Sequence, residues 1–104
     1  MKLNYKKMGS GQPLIILHGL FGMLDNWITL GKRYAEHFEV YLVDQRNHGK
    51  SPHSDVFNYE SMAADLLEFV ENHYIRGALM IGHSMGGKTL IEFAHESPFF
   101  IDKM

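Results

Sequence analysis

Ala78-Leu79-Met80-Ile81-Gly82-His83-Ser84-Met85-Gly86 is the stretch on which the reading of this chain turns. Four apolar residues bounded by glycine read as a short buried strand, and the run from Lys88 to Glu96 reads as a helix. Between them the chain must reverse over a few residues with Ser84 at the bend. So tight a turn holds the serine in a strained conformation with its hydroxyl projecting. Gly82 and Gly86 flank it because a side chain at either place would collide where strand and helix cross. The helix begins at the serine, so its free N–H groups and positive dipole end lie beside the hydroxyl.

From average Gly and Ser usage, G-x-S-x-G turns up in a chain of this length about a few per cent of the time, so the flanking strand and helix carry the signal. Leu3 and Tyr5 alternate with Lys2, Asn4 and Lys6, as in an edge strand near residues 2–8. After the turn cluster Gly9 to Pro13, the continuous apolar run Leu14-Ile15-Ile16-Leu17 reads as a strand covered on both faces. Trp27, Leu30, Tyr34 and Phe38 then recur at helical spacing, with Asp25 as the expected N-cap. Val40 to Val43 is the next strand, and a polar loop from Asp44 follows it. Asn58 is placed to cap a helix with Met62, Leu66, Phe69 and Val70 on one face and Asp65, Glu68 and Glu71 on the other. Gly77 closes that connection, residues 78–82 form the strand before the bend, and the last helix buries Leu90, Phe93 and Ala94 until Pro98 stops it. Strands alternating with helices predict an α/β fold, a mostly parallel sheet flanked by helices. Three loops, 18–24, 44–56 and 83–87, follow the C-terminal ends of strands, the edge at which such sheets bind ligands.

The totals bound the rest. The 104 residues make at most one domain, and 45% hydrophobic with 21% charged residues is ordinary globular composition. A net charge of −2 gives no case for nucleic acid or an anionic membrane. With no cysteine there is no disulfide, thiol chemistry or thiolate metal site, which fits a cytoplasmic setting. No apolar run approaches a membrane span or a signal-peptide core. His18, His48 and His83 lack metal-ligand spacing, and Gly86-Gly87-Lys88-Thr89 lacks the spacing of a phosphate loop, so neither a metal nor another cofactor is expected.

A serine hydroxyl becomes a nucleophile when a base takes its proton and donors hold the resulting oxyanion. The Met85 N–H, at the helix start, is one donor. Leu20 or Phe21, in the loop after the first parallel strand, is placed to give the second. His18-Gly19-Leu20-Phe21-Gly22, Asp44-Gln45-Arg46-Asn47-His48-Gly49-Lys50-Ser51 and Gly82 to Lys88, in this order, resemble the oxyanion loop, the loop after the fourth strand and the nucleophile elbow of α/β-hydrolases. Together they are similar to the small esterases and thioesterases of the YbfF and ABHD11 type, over nearly the whole chain. The resemblance implies hydrolysis of a small acyl ester or thioester through a Ser84 acyl-enzyme, with the Leu20 and Met85 amides as the oxyanion hole. His18 and Asp44 then match loop-shaping positions, and Phe21 is a candidate for lining the acyl pocket.

In that family the order is Ser, acid, His. After Ser84 the only histidine is His95, eleven residues along the same helix and so roughly 16 Å up its axis. Asp102 sits where another strand should begin. The expectation is therefore residues 1–104 as the N-terminal part of a single domain of a protein roughly twice as long, inactive as it stands. The sheet edge beyond strand 78–82 would be open to aggregation or dimerisation. The rival readings are another reaction on the same frame (carbon–carbon hydrolysis, aminopeptidase action, perhydrolysis) and a binding module that kept the fold without the chemistry. His83, His18 and His48 are expected to pack or to satisfy backbone groups, and His37, His53, His73 and His95 to lie at the surface.

Overall fold

The computed structural model describes residues 1–104. Tyr5–Met8 (β1), Gln12–Leu17 (β2), Phe38–Val43 (β3), Ala78–Gly82 (β4) and Ile101–Lys103 (β5) form one sheet in the order β1-β3-β2-β4-β5. β1 runs antiparallel to β3, with Tyr5 opposite Val43 and Met8 opposite Val40. All other neighbours are parallel. From β2 the chain crosses to β3 on one side and then returns past β2 to β4 on the other, so the strand order reverses between β2 and β4. A crevice opens at that switch point, between the loops that leave the two strands.

The apolar strands are continuous in sequence because both faces are covered, and alternate residues go to opposite layers. Ile15, Leu17, Tyr41 and Val43 pack with Leu66, Phe69 and Val70 of Tyr59–Asn72 (α2) and with Leu90 and Phe93 of Met85–Glu96 (α3). Leu14, Ile16, Val40 and Leu42 pack on the other face with Leu24, Trp27, Ile28 and Tyr34, under Ile28–Tyr34 (α1). Right-handed crossovers between parallel strands put α1 on one face and α2 on the other.

Local signals in the sequence hold where they depend on neighbours in the chain. β4 spans the expected residues. Asn58 Oδ1 accepts from the Ser61 N–H at 2.7 Å and caps α2. Gly77 takes φ 60° in the connection, and α3 ends at Glu96, two residues before Pro98.

The first helix departs from expectation. Leu24–Trp27 form a 3-10 turn, with Met23 rather than Asp25 at the cap position, where Asn26 Oδ1 takes the Met23 N–H at 2.8 Å. Phe38 belongs to β3, opposite Gln12, and reaches the same apolar layer from the sheet. Its helical spacing from Tyr34 is coincidental, because the chain turns at Ala35 to His37 to bring β3 alongside β2. Asp65 is buried on α2 instead of facing water, and Ala94 is only half-buried. His73 is half-buried rather than fully at the surface: its Nδ1 hydrogen-bonds the Phe69 carbonyl at 2.9 Å and its ring centroid lies 4.2 Å from that of Phe69. β5 pairs with Ala78 and Leu79, covering only the start of the open edge of β4.

Candidate active site

Ser84 stands between β4 and α3 with φ 52° and ψ −108°. With Gly86 N–H donating to His83 O at 2.9 Å, residues 83–86 form a type II′ turn. Its second position favours glycine, so a serine there is strained. The neighbours enforce the turn. A Cβ on Gly86 would lie 2.4 Å from Leu17 O, and one on Gly82 would lie 2.5 Å from the Gly86 carbonyl, so α3 crosses β2 and β4 at a distance only glycine permits. The Ser84 side chain is exposed and does not cap the helix that it starts.

Two backbone donors are free beside it. Gly86 and Lys88 donate to His83 O and Ser84 O, which leaves the Met85 N–H, at the first helical position, without an acceptor in the turn. In the loop after β2, Gly22 N–H closes a turn onto Gly19 O at 3.0 Å. Phe21 N–H donates to His48 Nε2 at 3.1 Å, while the Leu20 N–H donates to no group of the chain. Of the two amides the sequence offered, Phe21 is spoken for and Leu20 is free.

Leu20, Ser84 and Met85 line one cleft of about 290 Å³ with Phe57, Asn58, Tyr59 and Met62 from the start of α2 and Lys88 at its edge. Phe21 is not among them. It is 91% exposed and borders a separate hollow with Trp27 and His83. The contribution from the start of α2 was missed in the sequence, where Asn58 signalled only a helix cap.

Beneath the cleft, buried polar groups tie the loops together. Asp44 accepts from Leu24 N–H at 2.7 Å, Lys50 N–H at 3.0 Å and the Asn4 amide at 2.9 Å. His18 Nδ1 donates to Gly19 O at 2.8 Å, and its Nε2 accepts from Gln45 N–H at 3.0 Å. Burial holds the His18 imidazole below its ordinary pKa, so the ring is neutral with both nitrogens occupied. Gln45 reaches back to His18 O and accepts from the Thr89 hydroxyl at 2.9 Å, joining the β2 loop to α3. His48 is likewise engaged through both nitrogens, since its Nδ1 donates to Arg46 O at 2.9 Å. His83 lies against Trp27, with ring centroids 5.9 Å apart. No three His, Cys, Asp or Glu side chains are grouped to hold a metal ion, and no helix is long and apolar enough to cross a membrane.

The chain that carries this arrangement is similar to known proteins. The family profile of the alpha/beta hydrolase fold matches residues 12–104. Esterase YbfF of Escherichia coli (strain K12) is 38% identical over 109 aligned residues, which cover 100% of this chain and 43% of that protein. The sn-1-specific diacylglycerol lipase ABHD11 of Danio rerio is 39% identical over 98 residues, covering 92% of this chain and 31% of the lipase. Among solved structures, a marine microorganism esterase superposes with a TM-score of 0.94 at 51% identity, covering 96% of this chain and 39% of that one. The chain thus spans less than half the length of the proteins it matches.

Proposed function

This chain belongs to the α/β-hydrolase family, and from that premise we propose that it carries the nucleophile half of a serine hydrolase acting on small carboxylic esters or acyl thioesters. The reading rests on one observation above the others: the strained Ser84 lines a single cleft with Leu20 and Met85, two residues whose backbone N–H groups have no acceptor in the chain. Ser84 Oγ attacks the acyl carbonyl, and the two N–H groups hold the tetrahedral oxyanion. The alcohol or thiol leaves with the proton, and water then releases the acid from the acyl-enzyme. Preorganised donors suit this work because they need no reorientation as charge develops, and losing one typically costs about 3 kcal/mol of transition-state stabilisation.

The base and its acid are assigned to sequence outside these 104 residues. The ring nitrogens of His18 and His48 are occupied in holding loops, and His95 lies at the far end of α3. Residues 1–104 are accordingly read as the N-terminal part of a single domain, in a cytoplasmic protein that needs no metal or organic cofactor. The acyl group is placed against Leu20, Phe57 and Met62, and Phe21 is assigned to the neighbouring hollow rather than to the acyl pocket. Esterase and lipase relatives support ester hydrolysis over the other reactions of the fold.

The test is labelling of the full-length protein that contains this chain with a fluorophosphonate probe, followed by peptide mapping. The expected result is one adduct at Ser84, absent from Ser84→Ala. A folded protein with no adduct would make this a binding module, and an adduct elsewhere would take the nucleophile's role from Ser84.

A further inference from the structure

We propose that His48 is the positioning residue of the oxyanion loop, selecting which amide of that loop is left free for the acyl carbonyl; the inference rests on the serine hydrolase reading. Phe21 occupies the left-handed region at φ 61°, which a residue with a Cβ adopts reluctantly. Its side chain is 91% exposed, so packing does not hold it there. Two hydrogen bonds do: Gly22 N–H on Gly19 O at 3.0 Å closes the turn in which Phe21 is the third residue, and Phe21 N–H donates to His48 Nε2 at 3.1 Å.

His48 is built to present that nitrogen as an acceptor. Its Nδ1 donates to the Arg46 carbonyl at 2.9 Å, which leaves the lone pair on Nε2. The ring is 8% exposed and stands between the rings of His18, at 5.0 Å, and Phe57, at 5.9 Å. Arg46 is itself anchored to Asp65 of α2. The Leu20–Phe21 peptide plane is therefore pinned from α2 through the loop after β3. With that plane fixed, the Leu20 N–H can still turn about the Leu20 N–Cα and Cα–C bonds, and the Gly19–Gly22 turn, which has Leu20 and Phe21 at its centre, restrains both rotations. Phe21 N–H is withdrawn as a rival donor and Leu20 N–H remains. Backbone donors cannot be deleted by changing their own side chains, so the residue that aims them is the one at which mutation reaches the oxyanion hole.

The experiment compares His48→Ala with His48→Gln in the full-length protein, using a short-chain p-nitrophenyl ester and a fluorophosphonate, with thermal melts alongside. The expected result for His48→Ala is a fall in kcat of about 10- to 100-fold, below the full loss of a donor. KM should stay within about twofold, and Ser84 phosphonylation should slow in proportion, because the phosphonyl oxygen occupies the same hole. His48→Gln, whose amide supplies an acceptor and a donor, should recover most of kcat even where its melting temperature equals that of the Ala variant. If His48→Ala does not fold, His48→Asn, too short to reach Phe21, gives the same contrast with Gln. A folded His48→Ala with unchanged kcat would overturn the inference, as would a Gln variant no better than Ala or Asn. In both cases labelling of the wild type leaves the hydrolase reading standing; a wild type that does not label removes both.

Discussion

The Arg46 guanidinium grips both carboxylate oxygens of Asp65, Nε to Oδ2 at 2.7 Å and Nη2 to Oδ1 at 2.9 Å. The pair sits almost out of water, with side-chain exposures of 11% and 4%, and joins the loop after β3 to the inner face of α2. The hydrogen bond to Asp65 pushes the Arg46 pKa further up, so the guanidinium keeps its charge throughout the working pH range. Truncating one partner strands the other's charge. Asp65→Ala should therefore cost about 3 kcal/mol of stability. Arg46→Met combined with Asp65→Leu should recover a large part of that loss, because apolar replacement of a buried pair is often close to neutral. Urea unfolding of the two variants checks this; equal losses would show that the stranded charge is not the source of the loss and that the fold needs the hydrogen bonds of the pair itself.

Ser84 pays for its position in backbone strain. A glycine at φ 52° carries no Cβ penalty, so Ser84→Gly should raise stability by about 1 kcal/mol while removing fluorophosphonate labelling. The denaturant midpoint should rise with the m-value unchanged. A midpoint below wild type would mean that the serine side chain makes a stabilising contact that outweighs the strain.

Gly86 should tolerate no side chain. A Cβ there would stand 2.4 Å from Leu17 O and 2.7 Å from His18 O, both backbone atoms in or next to a central strand. Neither neighbour can rotate aside, so α3 would have to lift from β2. Gly86→Ala should lose more than about 3 kcal/mol and accumulate in the insoluble fraction. Gly77→Ala is the comparison: its Cβ would meet nothing within 4 Å, so only its φ of 60° opposes the change. The loss there should be nearer 1 kcal/mol.

His18 makes stability pH-dependent. Burial lowers its pKa from the ordinary 6.5, so below about that pH the unfolded chain binds a proton that the folded chain refuses. The contribution is fully present above pH 6.5 and is lost as the pH falls, until the folded-state pKa is reached. Melting temperatures between pH 7.5 and pH 5 should fall more steeply for wild type than for His18→Asn, measured relative to each variant's own value at pH 7.5. Parallel curves would remove His18 as the source.

Most of the fold could be read from the chain because its signals are local. The strand before Ser84, the Asn58 cap, the glycine-flanked bend and the alternation of apolar strands with helices depend on residues within a few positions of one another. Spacing put Ser84 and Met85 at the bend and left Leu20 or Phe21 open in the loop after β2, Leu20 being the choice the resemblance implied; the fold brings residues Leu20, Ser84 and Met85 to one cleft, and their roles belong to the proposed function.

What failed was whatever a distant partner decides. Asp65 borders the arc of α2 that Met62, Leu66 and Phe69 define, yet its charge argued for solvent; Arg46, nineteen residues away, makes burial tolerable, with the Met1 ammonium 3.9 Å from its Oδ1. Phe38 looked helical until β2 claimed it as a strand partner.

The sequence by itself determined the order of strands and helices, the position of the bend and the residue types at the site, because run length, periodicity and capping act over a single turn or strand. Only the tertiary structure decided which amide of the loop after β2 is free. That choice depends on His48 Nε2 reaching Phe21 across 27 positions of sequence, and a hydrogen bond, whose strength falls steeply with distance and angle, forms only once packing has fixed both ends.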